Sequence, residues 1–313
     1  MKKYYTLVLT TIVLSIGLLT GCTELPGRAD NNPEQNVEKK VQRDLGTALQ
    51  QKVGEAAANL EQTVENSAAK LTDEIKSKGI SKQYSASKDI GDSSILILSN
   101  PVGVIEAMPA SGNQLIVSTT IWFDDDSNEK EDRQKIMDNA EVSIQISGDK
   151  IEVSTHAKDQ PNKDLWSWAE DELDYSDFSM DYVIEIPGGV ETYQVTNNVG
   201  KVQLKDLQGT YRVISNVGTV NISGATFNGK STVETDTGSI HLDIANMDPE
   251  SSLKVKTDVG SLTASLSNSL KCSLDIKSEL GAIVGAKDGK SDINGGGPLI
   301  SLSSSLGSIT VDQ

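Results

Sequence analysis

Cysteine is scarce in this chain: Cys22 and Cys272 are the two cysteines among 313 residues. This count excludes the disulfide framework that supports many small exported domains. Aromatic residues are also scarce, at 4% of the sequence, so the core must be built mainly from aliphatic side chains. The length suffices for one large domain or two small ones. We expect Cys272, which lies in a strand-like stretch, to have a structural role.

Basic residues are outnumbered, since 28 Lys and Arg oppose 45 Asp and Glu and the formal net charge is −17. Proteins that bind phosphate backbones carry clustered cations. The composition therefore argues against nucleic acid as a partner. It also disfavours direct binding to anionic lipid head groups or anionic wall polymers.

Histidine is almost absent, and the two histidines, His156 and His241, are predicted to lie on the surface. The sequence has no His/Cys spacing typical of a metal site, and no Ser or Cys lies in a recognisable nucleophile elbow. We therefore predict no catalytic residue, no metal and no cofactor, and expect a protein that is not an enzyme.

The first 22 residues carry an export pattern. Lys2 and Lys3 precede an uncharged, largely apolar run over residues 4–20, and small residues then lead to a cysteine in Leu19-Thr20-Gly21-Cys22. This is typical of a cleaved signal peptide. It also resembles the lipobox of bacterial lipoproteins, in which cleavage falls before the cysteine and its thiol receives a diacylglyceryl group.

The lipobox resemblance implies a signal peptide over 1–21 and acylation of Cys22, for example with palmitate. We expect anchoring to the cell membrane on its extracytoplasmic face. An uncleaved membrane anchor is the alternative, but the apolar run is short for the ~20 residues of a spanning helix.

Two segments follow the predicted lipidation site. Residues 22–33 contain Pro, Gly and Asn without apolar periodicity, which predicts a flexible tether. Residues 34–79 are predicted to form an amphipathic helix or stalk, because apolar residues recur there at steps of four and three. The stripe could pack on the downstream domain, pair with another helix or lie on the membrane. Its members are Val37, Val41, Leu45, Leu49, Val53, Ala57, Leu60, Val64, Ala68, Leu71 and Ile75.

Beyond the helix the sequence has a β texture, rich in Ser, Thr, Val, Ile and Gly with alternating apolar residues. A short helix is predicted over residues 127–140, where charged residues surround Ile136 and Met137. Alternating segments on both sides of Gly148-Asp149 predict a hairpin or a strand pair.

A degenerate repeat dominates residues 80–313. Its turn glycines are Gly103, Gly200, Gly218, Gly238, Gly260, Gly281 and Gly307. An aliphatic residue stands two positions after each glycine, another stands five positions before it, and a small polar residue stands three positions before it. From Gly200 onwards the spacings are 18, 20, 22, 21 and 26 residues.

A period near 20 residues with β-branched positions and a turn glycine predicts coils stacked by parallel β-pairing. We expect the glycine to occupy a corner that needs positive φ or close backbone approach, and the small polar residues to hydrogen-bond one another. The predicted fold class is mainly β, with a parallel β-solenoid-like repeat domain after the long N-terminal helix. One exposed polar face should run along it. A β-sandwich is the alternative.

The repeat carries a family resemblance in three segments. They are Tyr182-Val-Ile-Glu-Ile-Pro-Gly-Gly189, Val195-Thr-Asn-Asn-Val-Gly-Lys-Val202 and Val213-Ile-Ser-Asn-Val-Gly-Thr-Val220. These resemble the DUF4097 family of adhesin-like β-strand repeat proteins, over roughly residues 85–313. The resemblance implies a repetitive parallel β fold and a cell-surface role, with no catalytic residues to carry over.

Two ligand-binding motifs fail on inspection. Residues 224–231 match the letters of a nucleotide phosphate loop, but the segment that follows is predicted as a strand, whereas the loop needs a helix. We therefore expect no nucleotide. Asp124-Asp125-Asp126 begins like a calcium loop, but Glu129 replaces the turn glycine and Lys135 replaces the closing acid.

An aromatic group beside carboxylates is the strongest ligand-site candidate in the sequence. Trp166, Trp168 and Tyr175 stand near Asp174 and Asp177, and flat rings next to acids suit a sugar or a calcium-assisted site. The alternative is a loop whose aromatics cover one end of the repeat domain.

These patterns predict a lipid-anchored extracytoplasmic envelope protein with a non-enzymatic, adhesin-like binding or scaffolding role. Its partners would be the membrane, through the lipid on Cys22, and a surface glycan or protein. A polysaccharide-active enzyme and an accessory protein in envelope-stress sensing are the alternatives.

Overall fold

The computed structural model describes residues 79–123 and 129–313. Within them the chain forms strands and two short helices, α1 (Lys130–Asn139) and α2 (Leu165–Leu173). The strands are β1 (Ile80–Asp89), β2 (Ile95–Pro109), β3 (Gln114–Phe123), β4 (Ala140–Ser147), β5 (Lys150–Ala157), β6 (Gln160–Asp164), β7 (Phe178–Ile186), β8 (Thr192–Lys205), β9 (Gln208–Phe227), β10 (Lys230–Thr237), β11 (Ile240–Met247), β12 (Ser252–Val259), β13 (Leu262–Leu266), β14 (Cys272–Leu280), β15 (Ile283–Val284), β16 (Gly289–Ile293), β17 (Leu299–Leu306) and β18 (Ile309–Asp312).

Most repeats pair in parallel with their neighbours, and each turns a corner at its glycine. Before the corner, the neighbours in order are β2, β8, β9, β10, β12, β17 and β14. After the corner, they are β2, β8, β9, β11, β13, β18 and β15. We call the part of the sheet before the corner the first arm and the part after it the second arm. Strands β2, β8 and β9 run through the corner, so they belong to both arms.

Alternation of side chains places the repeat's aliphatic columns between the two arms. Val213 and Val233 pair in the first arm, Val220 and Ile240 pair in the second, and all four side chains are fully buried. A core of stacked aliphatic residues agrees with the low aromatic content. At roughly 25 cal/mol per Å² of apolar surface, this burial is the main stabilising contribution.

The sheet is mixed, and the predicted parallel β-solenoid-like fold is therefore wrong, although the mainly β character is confirmed. Antiparallel pairs join β1 to β3, β3 to β7, β4 to β5, β5 to β6 and β14 to β16. The physical reason is that at least one strand of each of these pairs lies outside the repeat columns and has no corner glycine that would set a parallel stack. The pair β4 and β5 turns at Gly148 as predicted. The predicted helix over 34–79 lies outside the described residues.

The order of the last coils also differs from the order in the sequence. Strand β17 lies between β12 and β14 and is parallel to both, and β18 lies between β13 and β15. The corner of Gly307 therefore stacks on that of Gly260, and the corner of Gly281 stacks on that of Gly307. The C-terminal strands are thus interior members of the stack.

The opposite end of the stack is covered by β1, β3, β7 and the two helices. Phe178 stacks on Phe123 and Tyr175 with ring centroids 5.6 and 6.2 Å apart. Phe123 and Phe178 are fully buried. Helix α1 falls within the segment predicted to be helical, and its Ile136 is buried. Few aromatic residues occur in the chain, and this end concentrates them.

Cys272 begins β14 and is fully buried. It is a free cysteine. Desolvation, with a smaller contribution from Asp292, raises the pKa of the thiol to about 11. The neutral thiol is therefore the stable form near neutrality, which agrees with the structural role expected from the sequence.

Candidate functional site

The predicted lipidation apparatus lies outside the described residues. This applies to Leu19, Thr20, Gly21 and Cys22, to the tether and to the acidic triplet at 124–126. Anchoring therefore stays a prediction from sequence. In the described part of the chain, no helix is long and apolar enough to cross a membrane. Nor do three or more His, Cys, Asp or Glu side chains there form a group that could hold a metal ion.

The seven turn glycines form one column along the corner between the two arms. Their φ angles lie between 131 and 158°. A side chain on Gly218 would overlap the carbonyl oxygen of Gly200, and the same relation recurs from coil to coil. Glycine is required because each coil approaches the previous one through bare backbone. These residues set the stacking and are not available as ligand contacts.

Five of the seven small polar side chains beside the turn glycines donate to backbone carbonyls, whereas the sequence predicts bonds between these side chains; the hydroxyls of Ser215 and Thr235 have no hydrogen-bond partner within the described residues. The Thr257 hydroxyl donates to the Gly238 carbonyl at 3.3 Å, and the Ser304 hydroxyl donates to the Gly260 carbonyl at 3.2 Å. Asn197 donates to the Gly103 carbonyl at 3.3 Å. All three side chains are buried. The column therefore stabilises the corner.

The aromatic candidates lie mostly inside the molecule. Trp168 and Tyr175 are 6% and 4% exposed, and both belong to the core. Trp166 is half-buried and packs on Phe178 at a centroid distance of 6.4 Å. Two of the three rings have no face that a sugar could reach. Their burial agrees with the alternative given in the sequence analysis, in which these aromatics cover one end of the repeat domain.

The two histidines have different environments. His241 is exposed on β11, as predicted. His156 is only 4% exposed, and its Nδ1 lies 3.0 Å from the Ala157 carbonyl oxygen. The surface prediction for His156 is wrong because helices α1 and α2 pack against its strand, β5. The segment after the phosphate-loop-like letters is strand β10, which agrees with the rejection of a nucleotide site.

The outer surface of the first arm carries charges that pair with one another. Lys254 contacts Glu234 at 2.9 Å and Lys256 contacts Asp258 at 2.7 Å. The hydrogen bond with Asp258 raises the pKa of Lys256. Since these groups are solvent-exposed and already partnered, they contribute little stability and leave few free charges for a ligand.

The outer surface of the second arm carries a different arrangement, which we call the polar row. Five side chains lie side by side on five neighbouring strands, because each is paired in register with the next. The polar row consists of Gln203, Asn221, His241, Thr263 and Thr310. With strands about 4.8 Å apart, the row is about 19 Å long.

Hydrogen-bonding capacity is unused along the polar row. His241 is exposed and the other four side chains are partly exposed. Within the described residues, none of the five has a hydrogen bond or an ion pair with another protein group. Amides, an imidazole and hydroxyls can each donate and accept. The row therefore offers a straight series of adaptable hydrogen-bonding groups without formal charge when His241 is neutral.

The ends of the polar row are defined by its neighbours. Beyond Gln203, Glu106 occupies the next position in the register, and it forms an ion pair with Lys205. Beyond Thr310 comes Val284, which is 53% exposed. Sequence reasoning missed the row because its five residues differ in type. The available signal was their constant position, three residues after each turn glycine.

Comparisons with known proteins give structural likeness only. No family model matches the chain, and no curated protein matches it. A candidate cell adhesion protein from Clostridium sporogenes is 9% identical, with 75% of this chain and 100% of that chain covered and a TM-score of 0.37. A candidate adhesin from Bacteroides fragilis is 13% identical, with 74% and 97% covered and a TM-score of 0.33. At such low values, the functions of these proteins do not transfer to this chain.

Proposed function

We propose that this protein is a lipid-anchored, extracytoplasmic binding protein of adhesin-like, non-enzymatic character, and that the polar row is its ligand-contacting surface. The observation that carries the proposal is the register of five side chains that have no protein partner in the part of the chain that the structure describes. Buried or paired groups cannot supply new hydrogen bonds, whereas these can. A rigid sheet holds them in place before a ligand arrives, which lowers the entropic cost of binding.

The charge pattern supports an uncharged or weakly charged ligand. The molecule is acidic overall, so an anionic polymer would be repelled at long range. Charges on the first arm form ion pairs, whereas the polar row itself presents amides, hydroxyls and an imidazole; charges such as the pair of Glu106 with Lys205 lie at its end. Individual hydrogen bonds at an exposed surface contribute little free energy. A ligand with repeated polar groups would engage several positions at once, and its affinity would rise with length.

Lipid anchoring is supported by the sequence Leu19-Thr20-Gly21-Cys22 after an apolar run. A diacylglyceryl group supplies two acyl chains, which is the usual minimum for stable attachment. We expect Cys22→Ala to remain an unlipidated precursor when cells are labelled with a radioactive or clickable fatty acid. Cys272→Ala is the matched control and should be labelled like the parent protein. Normal labelling of Cys22→Ala would contradict the anchor.

The binding function is tested with the purified mature chain on an array of glycans and matrix proteins, while the glycans are monitored for cleavage. Saturable binding with intact glycans is the expected result. Cleavage would overturn the non-enzymatic assignment in favour of a polysaccharide-active enzyme. An absence of both binding and cleavage would overturn the adhesin-like assignment, and crosslinking in cells would then test for a membrane protein partner.

A further inference from the structure

The last coil of the stack, formed by β14 and β15 around the corner of Gly281, is open on one side. On the first arm it is covered, because β16 pairs antiparallel with β14. On the second arm, β15 pairs with β18 and with no other strand in the described part of the chain. We call residues 280–286, which contain this corner and β15, the open edge. None of them belongs to the polar row, so an inference about the open edge does not depend on the proposed function.

Backbone donors point out of the stack at the open edge. In the coil below it, the N–H groups of Gly307 and Ile309 each donate to a carbonyl of the last coil at 2.9 Å. The equivalent donors of the last coil are the N–H groups of Gly281 and Ile283, and within the described residues no further coil lies beyond them. Free backbone groups at the edge of a sheet are a template for pairing with another chain.

The side chains of the open edge are apolar and incompletely covered. Val284 is 53% exposed and Leu280 is 41% exposed. Ile283 is only partly buried, whereas Leu262 and Ile309, at the same position of the repeat, are fully buried. The aliphatic core therefore continues to the last coil and ends there without a cover.

No ionisable side chain protects the open edge, which lies between Glu279 and Lys287. Proteins commonly block a free strand edge with charges, most often lysine. Strand β1, which pairs only with β3 within the described residues, is such a case, because it carries the exposed Lys82 and Lys88. An edge that combines free donors, exposed apolar side chains and no charge is typical of a contact surface.

The surroundings of the open edge indicate which partner it takes. Residues 271–292 contain four lysines and four acids, which alternate in sign along the chain, whereas the whole chain has a net charge of −17. Two copies would repel each other through most of their acidic surface, but not through this balanced end. A strongly charged partner of either sign would find no excess of opposite charge there. A second copy would present the same alternating charges and the same apolar edge.

We propose that the open edge is the contact surface for a second copy of this chain, and that two copies join end to end through their last coils. Each copy uses the same surface, so the contact is isologous and closes with two members. At the opposite end of the stack the corner of Gly103 is covered, since a Cβ there would meet the Met180 carbonyl oxygen. Corner stacking therefore cannot continue from copy to copy into a fibre.

The test is sedimentation velocity of the purified mature chain over a range of protein concentrations. A reversible monomer–dimer equilibrium is expected, with a dissociation constant in the micromolar range because the contact is small. Val284→Lys should weaken the dimer at least ~tenfold, since it places a charge in an apolar contact. In hydrogen exchange, the amides of Gly281 and Ile283 should exchange ~tenfold more slowly in the dimer than in the monomer.

Ile214→Lys is the matched control, because Ile214 is also β-branched, is 48% exposed and lies on the outer surface of the first arm in β9. It should change the dissociation constant less than ~twofold. Three results would overturn the proposal: a monomer at every concentration, equal weakening by Val284→Lys and Ile214→Lys, or oligomers larger than the dimer. Both variants change exposed positions, and matching melting temperatures would show that folding is intact.

Discussion

At the scale of single residues, the corner glycines are where the chain tolerates least change. Gly218 has φ of 136° and its Cα faces the Gly200 carbonyl oxygen. Gly218→Ala would therefore combine an unfavourable backbone conformation with a steric overlap. We expect a loss of at least ~2 kcal/mol in the free energy of unfolding, measured with urea.

Gly112→Ala provides the control for that substitution. A Cβ at Gly112 meets no atom within 4 Å, and its φ is not in the left-handed region. Its free energy of unfolding should stay within ~0.5 kcal/mol of the parent value. If Gly218→Ala also left the free energy of unfolding within ~0.5 kcal/mol of the parent value, the close approach of Gly218 to the Gly200 carbonyl oxygen would be contradicted.

Buried tyrosines predict a loss of stability in alkali. Desolvation raises the pKa of Tyr182 and Tyr193 to about 12 and raises the pKa of Tyr211 further. Since the unfolded chain releases these protons near pH 10, stability is complete below that pH and falls as the pH rises toward the folded-state pKa. Urea unfolding at about pH 9 and about pH 11 should show a decrease of roughly 1 kcal/mol per buried tyrosine.

Tyr182→Phe isolates one of these groups. The Tyr182 hydroxyl donates to Thr155 Oγ1 at 2.7 Å, so the variant should lose about 1 kcal/mol at neutral pH. Its further loss between about pH 9 and about pH 11 should be smaller than that of the parent protein. Identical pH dependence of parent and variant would show that Tyr182 ionises normally in the folded state.

At the scale of elements, the position of the C-terminal strands is the least expected feature. Because β17 lies between β12 and β14, deletion of residues 299–313 should expose the facing edges of both. Hydrogen exchange should then show loss of protection throughout β12 to β15, with β8 and β9 less affected. Deletion of Gln313 alone, beyond the end of β18, should leave protection unchanged.

The truncated chain also tests the order of strands. If β14 simply closed onto β12 after the deletion, protection in both strands would persist, and the interior position of β17 would not matter for stability. The observed register predicts the opposite, because the edges of β12 and β14 that face β17 would have no partner.

The sequence predicts the local geometry of these elements better than their order. Turn glycines and their flanking columns are visible because the corner at Gly218 admits no other residue. The residues around Gly281 and Gly307 are nearly the same, so either coil could pack next to the coil of Gly260. Long-range contacts decide which of the two takes that position. Strands β1 and β3 lack the repeat columns, so no pattern in the sequence indicates that they pair antiparallel.

The candidate site was less predictable than the fold. Trp168 and Tyr175 suggest a ligand site in the sequence because they stand beside acids, but both side chains are buried in the core, where Tyr175 stacks on Phe178. The polar row has no repeated letter, because an exposed position on a strand accepts many polar types. Its members become comparable only when the register aligns Asn221 with His241 and His241 with Thr263.

At the scale of the whole molecule, the two outer surfaces differ in chemistry although they share one core. The first arm has exposed charges in ion pairs, such as Lys254 with Glu234. The second arm carries the polar row, whose five side chains have no protein partner within the described residues, beside charges such as the ion pair of Lys205 with Glu106. We therefore propose that binding takes place on the second arm, where a long ligand would run across the strands, parallel to the stacking direction.

The central claim is tested most directly by comparing the affinity of Thr263→Lys and Thr196→Lys for the array ligand. Thr263 lies in the polar row, and Thr196 lies on the outer surface of the first arm between Ser99 and Ile214. Both are partly exposed strand threonines, so the added charge and bulk are matched. We predict that Thr263→Lys lowers the affinity at least ~tenfold, which corresponds to ~1.4 kcal/mol, while Thr196→Lys changes it less than about twofold. Equal affinity of the two variants, or a greater loss for Thr196→Lys, would contradict the assignment of the polar row as the binding surface.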